Sequence, residues 1–393
     1  MSSAPIVCLS SQDWRDPMWT NKQHVMSRLA KRHRVLYVDY RIEPFGRLRA
    51  RGARGFLGPI VEVVDGVEVL SFGGAELAAW SPSAGPRRSW VRHELRLQLL
   101  RRYLKREGIE RPILWVYHPG YGEAVQSLPR SLLVYDCVDE YTEFPEYRDR
   151  PEGIARREAT LCKSADLVFT TSQPLFESKR AFNPEHTHLV HNVGDAEHFR
   201  RAMEPATQVP DDLAQLPRPV IGFFGAVSDY KLDQSWLLRL AEARPQWSVV
   251  VIGPVGVADD ATEVEALAAR ENVHLLGHRP YADLPAYAKG FDVATIPYRI
   301  NAYTRHCFPI KFFEYLATGK PVVISPLPSL EPYFGAVRVA SEVEGFIDAC
   351  EDALRRPEDG KGGRLQLADE NAWPARIRKM MDLVEARQRD RAA

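Results

Sequence analysis

The chain has no surplus of charge: Lys plus Arg and Asp plus Glu each number 52 in its 393 residues. Such a balance gives no general attraction to polyanions, which excludes nucleic acid as the main partner and leaves at most peripheral contact with a membrane. Local basic stretches do occur. Arg47, Arg49, Arg51 and Arg54 alternate with small residues and 87–106 is rich in arginine, and both read as solvated faces in preference to a docking surface. The five cysteines are odd in number and show no C-x-x-C spacing, which argues against a disulfide framework and against a zinc site. No apolar run approaches the ~18 residues of a membrane span, and MSSAPIVCLSS has no basic region leading into a long apolar stretch. A cytoplasmic protein is therefore expected.

What is present is the composition of an ordinary folded protein, 45% hydrophobic and 26% charged, with a length that suits two domains. Short β-branched runs bounded by turn residues alternate with longer stretches of helical periodicity, the pattern of a parallel α/β sheet. Strands are predicted at 6–10, 34–40, 67–72, 113–118, 132–138, 167–171 and 188–192, and then at 220–226, 248–253, 273–277, 293–298 and 321–325. Between the two sets, 203–219 holds Pro205, Pro210, Pro217 and Pro219 and reads as a linker. The expected organisation is a first α/β domain over 1–202, a second over 220–372, and a charged helix over 373–393 that packs back on the first. In open α/β sheets ligands bind beyond the carboxyl ends of the strands, so the loops there carry the functional reading.

The most informative loop and helix run from 299 to 326. Pro309 suits a first helical turn, Gly319 a helix C-terminal cap and Pro321 a stop, which delimits a helix of about ten residues. Its unpaired N–H groups and positive dipole end suit a diphosphate, with Thr304 and Arg305 as further donors. Lys311 and Glu314 lie three apart on one face, where a carboxylate could accept from the vicinal hydroxyls of a ribose or simply form a surface pair. PIKFFEYLATGKPVV resembles the donor-binding helix of GT-B glycosyltransferases related to family 4. The resemblance implies two Rossmann-like domains facing across a cleft, and a ribose-binding role for Glu314 as second acid of an E-x7-E motif. His306 stands where the first acid is expected.

In FFGAVSDYKLD, Gly225 and Ala226 follow a buried strand and Lys231 comes six residues after the glycine. Small residues let backbone approach a phosphate and an ammonium can neutralise it; similarity to the same family implies that Lys231 grips the donor pyrophosphate. LLGHRPYADLPAYAKG is similar to the segment that receives the base, through backbone around His278 and Arg279. HNVGDAEHF resembles the run that closes the first domain, which makes Asn192 and Asp195 hinge and turn residues.

The first domain departs from the family in having no glycine loop after its first strand. Asp13, Trp14, Trp19, Asn21 and Lys22 stand there instead, a set suited to the acceptor side, with a tryptophan-anchored loop and a helix cap as the plainer alternative. His118 ends one strand and Asp139 follows the next, and both are candidates for the chemistry. The expectation is sugar transfer from a nucleotide diphosphate co-substrate, UDP-sugar by family frequency, with retention and with His118, Asp139, Lys231 and Arg305 as catalytic groups. No cofactor is expected, and the lack of a D-x-D motif after a strand of the second half leads to the expectation of metal independence. A nucleotide-binding subunit without activity and a nucleotide-sugar epimerase of the same fold are the alternatives.

Overall fold

This computed structural model describes residues 4–40, 59–72, 86–257, 259 and 261–392, with the side chains of 86–95 and 392 excepted. The arginines at 47, 49, 51 and 54 and the first part of the basic stretch 87–106 lie outside that description.

The first half forms strands β1 (Ile6–Leu9), β2 (Val35–Val38), β3 (Ile60–Val64), β4 (Val67–Ser71), β5 (Ile113–Val116), β6 (Leu132–Cys137), β7 (Leu167–Thr170) and β8 (Thr187–Leu189). Among the described residues they make one sheet in the order β3-β4-β2-β1-β5-β6-β7-β8, parallel except for the β3–β4 pair. That pair is a hairpin the strand forecast missed at β3. Asp65 and Gly66 turn it with φ of 52° and 79°, the left-handed conformation that a two-residue Asp-Gly loop supplies.

Successive residues of the central strands point to opposite faces. Val7, Leu36, Leu114 and Leu133 enter one core and Ile6, Val35, Ile113 and Leu132 the other. The second of these cores is completed from far along the chain. Trp373, Met380 and Val384 of the helix Trp373–Ala392 pack there with Val25, Met26 and Leu29 of the helix Asn21–Leu29. The C-terminal helix thus crosses back onto the first half.

The second half forms β9 (Val220–Phe224), β10 (Ser248–Ile252), β11 (Val273–Gly277), β12 (Val293–Ile296), β13 (Val322–Ile324) and β14 (Arg338–Val339). They form a parallel sheet in the order β11-β10-β9-β12-β13-β14 over a single core. The two-residue β14 had no signal of its own. Within 203–219, Leu213 of the short helix Asp211–Ala214 is buried in that core, so this stretch is packed against the second half over part of its length. No helix of the described residues is long and apolar enough to cross a membrane.

Candidate active site

The carboxyl ends of β1, β6, β9, β10 and β12 converge on a cavity of about 260 Å³ between the halves. From the first half come Trp19, Asn21, Lys22 and Asp139; from the second come Gly225, Ala226, Lys231, His278, Arg279, Lys311 and Glu314. Each reaches the cavity for a local reason.

Lys311 and Glu314 belong to the helix Lys311–Ala317, which is seven residues long and so shorter than the spacing predicts. Pro309 and Ile310 line the cavity just ahead of it, and Gly319 closes its far end with φ 72° and a bond from its N–H to the Leu316 carbonyl. Phe312, Phe313 and Leu316 face the core, which turns the opposite side of the helix to the cavity. Glu314 is only 3% exposed and accepts a 2.7 Å hydrogen bond from the Tyr281 hydroxyl. Burial raises its pKa to about 7 against the lowering effects of Tyr281 and Lys311.

The Lys311 ammonium donates to the Tyr298 hydroxyl at 2.8 Å and lies 4.3 Å from the centre of the Phe223 ring. Burial, and then the like charge of Lys231, bring its pKa down to about 7. Gly225 makes this approach feasible. Its φ is 138°, and a Cβ there would sit 2.1 Å from the Lys311 Nζ, so any larger residue would displace the amine.

Lys231 lies over the rings of Tyr303, at 5.0 Å, and Tyr230, at 5.1 Å. Burial pulls its pKa down, but Tyr230, Cys307 and Asp139 outweigh that and hold it above the ordinary lysine value. Tyr303 bridges the halves by donating 2.8 Å to the Asp139 carboxylate. A second bridge runs from the Ser172 hydroxyl to the His306 carbonyl at 2.7 Å.

On the first-half side the start of the helix Asn21–Leu29 is fixed by side chains. Gln23 accepts from the Thr20 N–H at 3.1 Å and donates to the Asp13 carbonyl at 3.0 Å, while the Thr20 hydroxyl donates to Gln12 at 2.7 Å. Asn21 donates to Asn192 at 2.5 Å, and Arg376 of the C-terminal helix donates to both, at 2.6 Å to Asn21 and 3.1 Å to Asn192. Asn192 in turn donates to the Phe308 carbonyl at 2.7 Å, directly before Pro309. Asn192 therefore lines the cavity and is more than a hinge. Asp195 does act as a turn residue, capping the next helix and pairing with Arg28 at 2.7 Å.

Several predicted site residues stand elsewhere. His118 does not reach the cavity: the turn Pro119–Tyr121 folds back so that its Nδ1 accepts from the Gly120 N–H at 2.9 Å, and Tyr40, Tyr141 and Tyr147 surround its ring. The segment Thr304–His306 is a turn with three residues per repeat, so neighbours diverge. Thr304 is buried and its hydroxyl closes the turn on the Arg299 carbonyl, Arg305 is exposed and outside the cavity, and His306 bonds the Ala302 carbonyl at 2.7 Å. Asp13 is engaged through its carbonyl away from the cavity, and Trp14 is a core residue packed on Trp19 and Tyr37. Arg279 lines the cavity, but its guanidinium is held by Asp212 at 2.8 Å and by the Tyr287 hydroxyl at 2.7 Å. Tyr281, Tyr298 and Tyr303 were missed as site residues. Each follows a strand or opens a helix, but nothing in their spacing separates them from ordinary core tyrosines.

The arrangement places ammonium groups, a glycine turn and a helix start around one space, with Asp139 and Glu314 as the only carboxylates lining it among the described residues. Such a lining offers cations and backbone N–H groups to an anion and carboxylates to hydroxyl groups. No group of three or more His, Cys, Asp or Glu is arranged to hold a metal ion among the described residues.

Residues 218–356 match the family model "Glycosyl transferases group 1". A Bacillus subtilis (strain 168) protein described as a candidate teichuronic acid biosynthesis glycosyltransferase, TuaH, is 30% identical over 294 residues, covering 69% of this chain and 71% of that one. Among solved structures, sucrose-phosphate synthase from Thermosynechococcus elongatus has a TM-score of 0.73 at 16% identity, with 100% of each chain covered. Anabaena HepE, solved with UDP and glucose, has a TM-score of 0.68 at 16% identity over 98% of this chain and 100% of that one. The fold is GT-B. The chain belongs to the group 1 glycosyl transferases and is a glycosyltransferase.

Proposed function

We propose that the protein transfers a sugar from a UDP-sugar to a hydroxyl of a growing saccharide, with retention of anomeric configuration. The observation that carries this reading is the buried Glu314 carboxyl facing the same cavity as the Lys231 and Lys311 amines. A carboxylate fits the vicinal hydroxyls of ribose, and ammonium groups fit the diphosphate a few ångströms further on. The choice of UDP is supported by the nucleotide held by HepE, and the saccharide acceptor by the teichuronic acid role ascribed to TuaH.

In this reaction the bond from the anomeric carbon to the β-phosphate oxygen breaks and a bond to the acceptor oxygen forms. Negative charge grows on the departing diphosphate, and Lys231 with Lys311 stabilises it more in the transition state than in the ground state. The acceptor proton passes to the leaving phosphate, so no separate base is required. His118 is walled off from the cavity, and retention asks no base of Asp139, whose carboxylate accepts from Tyr303. Asp139 positions the acceptor hydroxyl once Tyr303 yields it.

Calorimetric titration with UDP tests the nucleotide, and NMR of the product formed from the best-bound UDP-sugar tests the stereochemistry. Absence of UDP binding overturns the donor assignment, and an inverted anomeric centre overturns retention.

A further inference from the structure

Lys22 is the second residue of the helix Asn21–Leu29, whose start is fixed by Gln23, Thr20 and Asn21 as described. It lines the same cavity as Glu314 and is only 7% exposed. Among the described residues its ammonium makes no hydrogen bond and no ion pair, and it lies 5.9 Å from the centre of the Tyr117 ring. The charged groups that act on it are Asp139 and Asp136, which favour its charge, and Lys231, which opposes it. Asp136 accepts from the Trp115 indole with one oxygen and Asp139 from Tyr303, and neither forms an ion pair with the amine.

A buried ammonium without a partner is costly, and burial together with Lys231 accordingly lowers its pKa. A rigid helix start would not hold such a group against an apolar ring unless something else completed its environment. The space beside it is the cavity, and what it lacks is an anion in direct contact. We infer that Lys22 is a catalytic residue that contacts the terminal phosphate of the nucleotide diphosphate from the first half, completing with Lys231 and Lys311 a three-sided cation cluster around the leaving group. This rests on the UDP reading above and moves Lys22 from the acceptor side, where its position in the sequence suggested it, to the leaving group.

The arrangement has a mechanistic consequence. The ribose and the inner phosphate are gripped by the second half alone, whereas the phosphate that accumulates charge is touched by both halves. Lys22 therefore distinguishes UDP from UMP.

The test compares UDP and UMP by calorimetry in the wild type, Lys22→Met and Lys22→Arg, with melting temperatures alongside. Loss of one charge-assisted contact weakens UDP about tenfold to a hundredfold in Lys22→Met and leaves UMP unchanged, with Lys22→Arg recovering part of the loss. The Lys22→Met protein melts at or above the wild-type temperature, because a lone buried charge has been removed. Unchanged UDP affinity in Lys22→Met, or equal weakening of UDP and UMP, overturns the assignment while leaving the donor reading intact. A wild type that binds neither nucleotide overturns both. A fall in melting temperature with unchanged UDP affinity identifies Lys22 as structural.

Discussion

The two halves meet the cavity in different ways. In the second, the site and the core are made from the same neighbouring pieces of chain: Glu314 and Lys311 lie on a helix whose other side is core, and Gly225 ends a core strand. In the first, the site is borrowed. Asn21, next to Lys22, is held by Asn192 and by Arg376, more than 350 residues away, and one core is completed by Trp373, Met380 and Val384. The second half thus builds its share of the cavity from its own core elements, and the first presents a surface assembled by the fold as a whole.

The largest effect that would break this contrast comes from Trp373→Ala. Removing a fully buried indole from the first-half core should cost about 3–5 kcal/mol. Hydrogen exchange should show the loss in β1, β2 and β5 while UDP binding persists at temperatures below the transition. If UDP binding and first-half protection fall together, the second half is not self-contained.

Next in size, Lys231→Ala should lower turnover about 10²- to 10³-fold with a smaller effect on UDP affinity, as expected for a group that acts on charge developing in the transition state. Steady-state kinetics with the best donor checks this; an equal loss in affinity and turnover would assign Lys231 to ground-state binding.

Glu314→Ala should weaken UDP by about 1.5–3 kcal/mol, tenfold or more, without lowering the melting temperature. Calorimetry and melting on one preparation decide it, and a collapse in melting with unchanged affinity would make the carboxyl structural.

How far these residues were legible follows the same contrast. PIKFFEYLATGKPVV carries Lys311, Glu314, the end of their helix and the next strand within fifteen residues, so local pattern was enough. The turn at 304–306 was not: adjacency to a helix start said nothing about direction, and Arg305 faces solvent while Tyr303, two residues earlier, is buried against Asp139. His118 was placed correctly at a strand end, but Tyr40 and the aromatic residues of the stretch 141–147 close it off. The Asp65-Gly66 hairpin was readable from its alternation and turn chemistry and was passed over. Arg376 had no signal at all, because its partners are distant in sequence.

The smallest effect concerns pH. Glu314 keeps its proton in the folded chain up to about 7, whereas the unfolded group loses it near its ordinary 4.5, so its stabilising contribution falls as pH rises between those values. Lys311 loses its proton near 7 in the folded chain and near 10.5 when unfolded, so its contribution falls as pH drops across that window. The joint contribution of the two is therefore smallest near pH 7. The double variant Glu314→Gln, Lys311→Met should flatten the dependence of melting temperature on pH, with its gain over the wild type, a few degrees, greatest near neutrality. A gain that is constant from pH 5 to 9 would remove the titrating pair from the account.

The return of the C-terminal helix also sets an order of events during synthesis. Domains commonly fold as they emerge, the earliest first. Here one face of the first sheet awaits Trp373, Met380 and Val384, which a ribosome adding about 5–20 residues per second delivers some tens of seconds after β1. The second half has all of its core before then. The second sheet therefore has its core side chains in hand before the first does, and one face of the first sheet closes only after the second has been made.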